Sequence, residues 1–242
     1  MVRQALILAG GRGSRLGSLT DACPKPLLPV SGRPFLEFLL AYLRKRGVEK
    51  VILSIGHRAE IFQDTLPEGD FNGLQLRHSI ESEPAGTGGA VGLARDRLDE
   101  VFFVLNGDTI FDIDCQELSQ ALVDEPSALA ALALREVDDA GRYGSVTVHQ
   151  GLVRSFTEKS SRTHGVINGG IYCLRKAALA RLPRPPCSLE KDLFPALAAS
   201  GALLGRVFDG YFIDIGLAET LARAQVELPA WQAQFGRRSP SC

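Results

Sequence analysis

Cysteine is sparse and shows no pairing pattern. Cys23, Cys115, Cys173, Cys187 and Cys242 are widely scattered, odd in number and without a C-x-x-C spacing, which argues against a disulfide framework or a structural zinc site. Histidine is scarcer still: His57, His78, His149 and His164 form no metal-binding motif and are expected to be structural or exposed. No apolar run approaches the roughly 20 residues of a membrane-spanning helix. The short apolar stretch after Met1 meets a glycine-rich loop, where a secretory signal would continue into a longer apolar core and a cleavage site. Net charge is nearly absent, at -1 from 27 basic and 28 acidic residues. That gives no reason to expect nucleic acid as a partner, although a small phosphate needs only a few well-placed cations. The expectation is a cytoplasmic protein with reduced thiols and neither nucleic-acid nor membrane partners. Repeats, low-complexity linkers and sharp composition shifts are also missing, so one domain over residues 1–235 is expected, with 236–242 as a frayed tail.

What the chain does have is enough apolar residue, 45% of 242, to bury a sizeable core, arranged in two alternating periods. Strands are expected at Ala5–Ala9, Val51–Ile55, Leu74–Ile80 and Val101–Leu105, with helices at Phe35–Arg46, Ala59–Leu66 and about Gly89–Arg97 between them. That alternation implies an α/β layered fold with a mostly parallel sheet and ligands at the carboxyl ends of its strands. Farther on, Ala128–Arg135, Ser145–His149, Val153–Thr157 and Val166–Leu174 read as strands with short connections, an antiparallel or mixed extension. A helix at Leu189–Ser200, a strand at Leu203–Val207 and a helix at Leu217–Leu228 complete the pattern.

The most distinctive local feature is Leu6-Ile7-Leu8-Ala9-Gly10-Gly11-Arg12-Gly13-Ser14-Arg15-Leu16, a strand running into a loop with three glycines and two arginines. Glycine lets backbone N–H groups approach a polyanion, and arginine supplies a forked cation for its oxygens. The spacing fits neither G-x-x-x-x-G-K-[ST] nor G-x-G-x-x-G, since Leu16 stands where the latter needs glycine. Downstream, Pro24 and Pro26 bracket Lys25, which reads equally as a stiffly held ammonium or a surface turn. Asp108 ends a hydrophobic strand, a good place for a magnesium ligand and also an ordinary turn cap. Asp214 precedes a glycine in the same way. Asp112 and Asp114 are expected to cap or face solvent, Asp114 starting a helix near Cys115. Gly169 and Gly170 interrupt an apolar strand, which is costly unless backbone or ligand must approach closely.

With Gly10, Gly11, Gly13, Ser14, Arg15, Leu16, Leu19, Thr20, Pro24, Lys25 and Pro26 in place, the segment resembles the signature of the sugar-1-phosphate nucleotidyltransferases. Ser14 stands where threonine is commoner and Ser18 where proline is frequent. The resemblance implies a single Rossmann-like domain with a mostly parallel mixed sheet and a small antiparallel sugar-binding extension. It implies Arg15 and Lys25 as catalytic residues, and a nucleotide held by Leu8, Ala9, Gly10, Gly11, Gly13, Ser14, Gly86, Thr87 and Asp108. Asp108 and Asp214 would share Mg²⁺. Glu81, five residues before the first glycine of the Gly86-Thr87-Gly88-Gly89 run, would meet the base. A carboxylate can accept from both N1–H and N2–H₂ of guanine, whereas uracil and thymine offer one ring N–H, so GTP is favoured. Gly144, Glu158, Lys159, Asn168 and Gly169 match the sugar-phosphate elements.

The reaction implied is in-line attack of a sugar-phosphate oxygen on the α-phosphorus of the NTP, needing no covalent nucleophile. The E-P-A-G-T-G-G-A, L-N-G-D-T, I-N-G-G-I-Y and F-D-G-Y-F-I-D-I-G segments are most similar to members acting on D-glycero-α-D-manno-heptose 1-phosphate with GTP, in bacterial surface-polysaccharide assembly. Mannose, glucose and N-acetylmuramate 1-phosphate are the alternatives. The absence of a hexapeptide-repeat tail argues against fused acyltransferase relatives. A homo-oligomer is compatible with this reading. A noncatalytic nucleotide-sugar sensor and a glycosyltransferase are the rivals, disfavoured by the intact Arg15, Lys25, Asp108 and Asp214 and by a loop suited to a triphosphate.

Overall fold

The computed structural model describes residues 1–11, 13–138, 145–157 and 164–235. Strand β1 (Gln4–Leu8) runs into the glycine loop and a 3-10 segment, Ser14–Thr20. The short strands β2 (Pro29–Val30) and β3 (Arg33–Pro34) form a hairpin that leads into helix α1 (Phe35–Lys45). Then come β4 (Lys50–Ile55), α2 (Ala59–Thr65), β5 (Gly69–Phe71), β6 (Leu74–Ile80), α3 (Gly86–Leu93), β7 (Val101–Asn106), β8 (Thr109–Phe111) and α4 (Gln116–Asp124). The remainder is β9 (Ala130–Val137), β10 (Ser145–His149), β11 (Leu152–Thr157), β12 (Gly165–Arg175), α5 (Phe194–Ala199), β13 (Leu203–Val207), β14 (Phe212–Asp214) and α6 (Ala218–Phe235).

Ten strands form one sheet in the order β10-β11-β13-β9-β12-β7-β1-β4-β6-β5. From the pairings, β1, β4, β6, β7, β9, β10 and β13 run one way and β5, β11 and β12 the other. The sheet is thus mixed and mostly parallel, as expected, with the antiparallel character concentrated around β10–β12. Alternate residues of the central strands serve two cores. Ala5, Ile7, Phe103 and Leu105 join the core under α1, α4 and α6, whereas Leu6, Phe102 and Val104 join the one under α3 and α5. A strand covered on both faces must be apolar throughout, which is why β1 reads as an unbroken run.

Three helices depart from the sequence expectation. Helix α3 starts at Gly86 rather than near Gly89 and ends at Leu93, with a separate 3-10 turn at Arg95–Arg97. Its glycines are drawn in by packing: Gly88 N donates to Cys187 O at 2.9 Å, and a β-carbon on Gly86 would lie 2.3 Å from that oxygen. Helix α6 continues through Pro229 to Phe235. Leu228 and Trp231, on either side of that proline and three residues apart, are both buried in the core, and this packing outweighs the lost backbone bond. The expected helix at Leu189–Ser200 is a π-helical turn (Leu189–Leu193) joined to α5.

Candidate active site

The carboxyl ends of β1, β4, β6 and β7 share one rim of the sheet, since all four strands are parallel. Above that rim lies an open cleft of about 800 Å³, and Leu8, Ala9, Gly10, Gly11, Gly13, Lys25, Glu81, Gly86, Thr87 and Asp108 all line it. Ten candidate positions from four chain segments therefore converge on one space. Ser14 and Arg15 begin the 3-10 segment that follows Gly13; their side chains fall outside the described part of the structure, as do Gly144, Glu158 and Lys159 in full.

Lys25 resolves the two readings of the proline-bracketed turn. Its side chain is only 8% exposed, and its ammonium is ion-paired with Asp108 Oδ2. It is therefore no solvated surface lysine. The prolines restrict the backbone on both sides of it, and Leu27 N donates to Pro24 O at 2.8 Å to close the turn. Asp108 Oδ1 accepts from Thr109 Oγ1 at 3.0 Å.

Asp214 is brought to Asp108 by the two-stranded sheet of β8 and β14, in which Asp214 pairs with Thr109. One residue on, Ile215 N donates to Asp108 O at 2.9 Å. Two aspartates more than 100 positions apart in sequence are thus brought close along the backbone; Asp108 lines the cleft and Asp214 is not among its lining residues. Asp214 Oδ1 also accepts from Gly216 N at 2.9 Å, closing the turn after the strand. Among the described residues no group of three or more His, Cys, Asp or Glu side chains could hold a metal ion. A divalent ion on this pair would need phosphate oxygens and water to complete its shell, a donor set that suits a hard oxygen-seeking cation.

Glu81, just past β6, is half-buried. Ser54 Oγ donates to its Oε1 at 3.3 Å, and Ala85 N to its Oε2 at 3.1 Å. The carboxylate lies against Gly10, where a β-carbon would come within 2.7 Å of Oε1, so the close approach of two strand ends requires glycine there. Both oxygens keep lone-pair capacity beyond these single donors.

Asn168 and Gly169 sit on β12 and do not line the cleft. Asn168 Oδ1 accepts from Gly170 N at 2.9 Å and its Nδ2 donates to Tyr172 Oη at 3.0 Å. Gly169 packs against the ring of Phe111, leaving no room for a side chain. Gly56, His57, Asn106 and Glu190 also line the cleft, and sequence reasoning missed all four as site residues. Gly56 and Asn106 had a usable signal, being the ends of β4 and β7. Glu190 had none, since it looked like the first turn of a helix. Asp112 departs from its expected capping role: it is ion-paired with Arg46 at 2.8 Å and accepts from Trp231 Nε1 at 3.0 Å. Asp114 does accept from Gln116 N at 3.1 Å at the start of α4.

The four cysteines within the described residues, Cys23, Cys115, Cys173 and Cys187, are free. Burial raises the thiol pKa of each, that of Cys115 to about 12. No helix among the described residues is long and apolar enough to cross a membrane.

Comparison with known proteins agrees with this geometry. The family model described as nucleotidyl transferase matches residues 4–230. The chain is 41% identical over 221 residues to D-glycero-α-D-manno-heptose 1-phosphate guanylyltransferase of Campylobacter jejuni subsp. jejuni serotype O:2, covering 89% of this chain and 96% of that protein. It is 36% identical over 227 residues to the enzyme of the same name from Aneurinibacillus thermoaerophilus, covering 93% and 98%. Among solved structures, HddC from Yersinia pseudotuberculosis complexed with GMP-PN superposes with a TM-score of 0.81 at 35% identity, covering 93% of this chain and 98% of that one.

Proposed function

The chain belongs to the nucleotidyl transferase family, and from that premise we propose that it transfers GMP from GTP to D-glycero-α-D-manno-heptose 1-phosphate, forming GDP-heptose and pyrophosphate. The observation that carries the reading is the cleft itself. A glycine loop, a carboxylate at the base-side rim and the Lys25–Asp108 pair face a single space, and relatives named for this reaction match nearly the whole chain.

In this reading the backbone N–H groups of Gly10, Gly11 and Gly13 take the triphosphate, and Glu81 accepts from the guanine edge. Lys25 turns from Asp108 to the phosphates and holds the α-phosphorus in line with the incoming oxygen. That oxygen, one of the anionic oxygens of the sugar phosphate, forms the new P–O bond as the bond from the α-phosphorus to the bridging oxygen of pyrophosphate breaks. Arg15 takes up charge on the leaving pyrophosphate. Asp108 and Asp214 would hold Mg²⁺, which when bound supplies positive charge against the phosphate oxygens. Gly144, Glu158 and Lys159 bind the sugar phosphate. The site of action is the cytoplasm, where GTP is available.

The test is Mg²⁺-dependent pyrophosphate release from GTP, UTP, dTTP, CTP and ATP against a panel of sugar 1-phosphates. Release confined to GTP with the heptose phosphate is expected. Preference for another pair would keep the reaction and overturn the specificity; silence with every pair would sink the enzyme reading in favour of a sensor.

A further inference from the structure

Two acidic residues lining the cleft, Glu83 and Glu190, are left without a part by the reaction above; Glu83 is exposed, whereas Glu190 is half-buried. It stands in the π-helical turn Leu189–Leu193, on the wall where α3 meets β12. Its carboxylate is held by hydroxyl groups. Thr87 Oγ1 donates to Oε2 at 2.7 Å and Ser188 Oγ to the same oxygen at 2.8 Å, whereas Oε1 receives only the long bond from Tyr172 Oη at 3.4 Å. Each of those donors is fixed in turn. Thr87 Oγ1 accepts from Leu189 N at 2.9 Å, Ser188 Oγ accepts from Glu190 N and Lys191 N, and Tyr172 Oη accepts from Asn168 Nδ2. No ion pair to Glu190 exists among the described residues.

From this we infer that Glu190 is a specificity residue whose Oε1 accepts a hydrogen bond from a hydroxyl group of a bound substrate, either the ribose of the nucleotide or the ring of the sugar 1-phosphate. The inference rests on the proposed reaction. A carboxylate offers about four acceptor sites, and the three protein donors leave Oε1 the less occupied oxygen, on a side chain that borders the cleft. Both substrates are rich in hydroxyl donors. All three protein donors are neutral hydroxyls, and hydrogen bonds to a carboxylate are charge-assisted and of the stronger class. Tyr172 supports the arrangement: burial first, then the Glu190 charge, raises its phenol pKa well above the ordinary value, so it remains a donor. Asn168, with both ends of its amide engaged inside the chain, acts through Tyr172 as a positioning residue.

The experiment measures dissociation constants by calorimetry, with KM and kcat for pyrophosphate release, on the wild-type chain and on Glu190→Gln. The ligands are GTP, 2′-deoxy-GTP, 3′-deoxy-GTP, the sugar 1-phosphate and its singly deoxygenated forms. Glu190→Gln is expected to weaken one substrate roughly 10- to 100-fold, a factor set by one hydrogen bond to a charged group, with a smaller change in kcat. The wild type should lose a similar factor with the analogue lacking the contacted hydroxyl, and the variant should lose nothing further with it. Cancellation by a deoxy-GTP identifies the ribose, and cancellation by a deoxy-sugar phosphate identifies the sugar. A penalty equal for every ligand, or none, overturns the inference and leaves Glu190 as a tie between α3 and β12. Because the wild type with deoxy ligands already reads the contact, a Gln variant that failed to fold would not spare the idea. Wild-type silence in pyrophosphate release would count against the proposed reaction alone, since binding is read separately.

Discussion

The two sides of the cleft are built differently. On the side of β1, β4, β6 and β7, the lining comes largely from strand ends and glycines: Ala9, Gly10, Gly11, Gly13 and Gly56, with Lys25, Glu81, Glu83 and Asp108 as the charged groups set among them. On the side of β12 and the π-helical turn, the lining depends on a relay of side chains, Asn168 to Tyr172 to Glu190 to Thr87. Backbone N–H groups fixed by a loop suit a polyphosphate, which is the same in every NTP. Side chains that can be exchanged singly suit the part of a substrate that differs between relatives. The first side should therefore fail all at once when broken and the second by degrees.

Lys25→Met is the sharpest way to break the first side. It removes the charge facing Asp108 and, on the proposed reaction, the cation next to the transferring phosphate. A fall in kcat of about 100- to 1,000-fold is expected, in line with removal of one electrostatic stabiliser, read by pyrophosphate release at saturating substrates. A loss below tenfold would make Lys25 a structural partner of Asp108. Next in size is Gly86→Ala, which acts on stability. Gly86 has φ +75°, and a β-carbon there would sit 2.3 Å from Cys187 O. Backbone strain and displacement of the 185–190 segment together should cost about 3 kcal/mol, measured by urea unfolding, and should shift Glu190 as well. Smaller again is Tyr172→Phe, which removes the link between Asn168 and Glu190 but keeps the fully buried ring. A cost of about 1 kcal/mol is expected, with KM rising for one substrate and kcat little changed. An effect on kcat as large as that of Lys25→Met would erase the distinction between the two sides.

The same distinction decides what could be read from sequence. The parallel half was legible because β1, β4 and β7 are short apolar runs ending in glycine or a polar residue and β6 alternates apolar with polar residues, and an α/β sheet places such ends together. The glycine loop followed from local pattern, whereas Lys25, Asp108 and Asp214 each kept an ordinary turn reading until the resemblance assigned them a role. The ladder of β8 and β14, which joins the two aspartates, was not read, because each strand has only three residues and little period to show. Glu190 and the Asn168–Tyr172 link were hidden for different reasons. Glu190 depends on the π-helical turn meeting α3 through Cys187, a contact between segments about 100 residues apart that no local spacing announces, and the Asn168–Tyr172 bond spans a register shift within β12 that the strand's period does not show. The last helix was expected to end at Leu228 and instead runs through Pro229 to Phe235, because Trp231 beyond the proline is buried in the core.

The smallest predicted effect lies behind the ladder of β8 and β14 and tests whether the first side is braced from outside the cleft. Tyr211, next to β14, stacks on Trp231 of α6 and donates its hydroxyl to Glu227 Oε2 at 2.9 Å. Glu227 is also paired with Arg223 one turn earlier at 2.9 Å. The Arg223 hydrogen bond chiefly, aided by that of Tyr211 and opposed by desolvation, holds the Glu227 carboxyl below its ordinary value of 4.5. A folded-state pKa below the unfolded one means stability that is complete above pH 4.5 and is lost as pH falls through the lower folded value. Because the pair is partly exposed, salt and water screen it, and Glu227→Gln should cost only about 0.5 kcal/mol at pH 7. The difference between wild type and variant in thermal unfolding should shrink as pH is taken below 4.5. A difference that persisted unchanged in acid would assign the bracing to the stacked rings of Tyr211 and Trp231, leaving the carboxylate no share in holding β14.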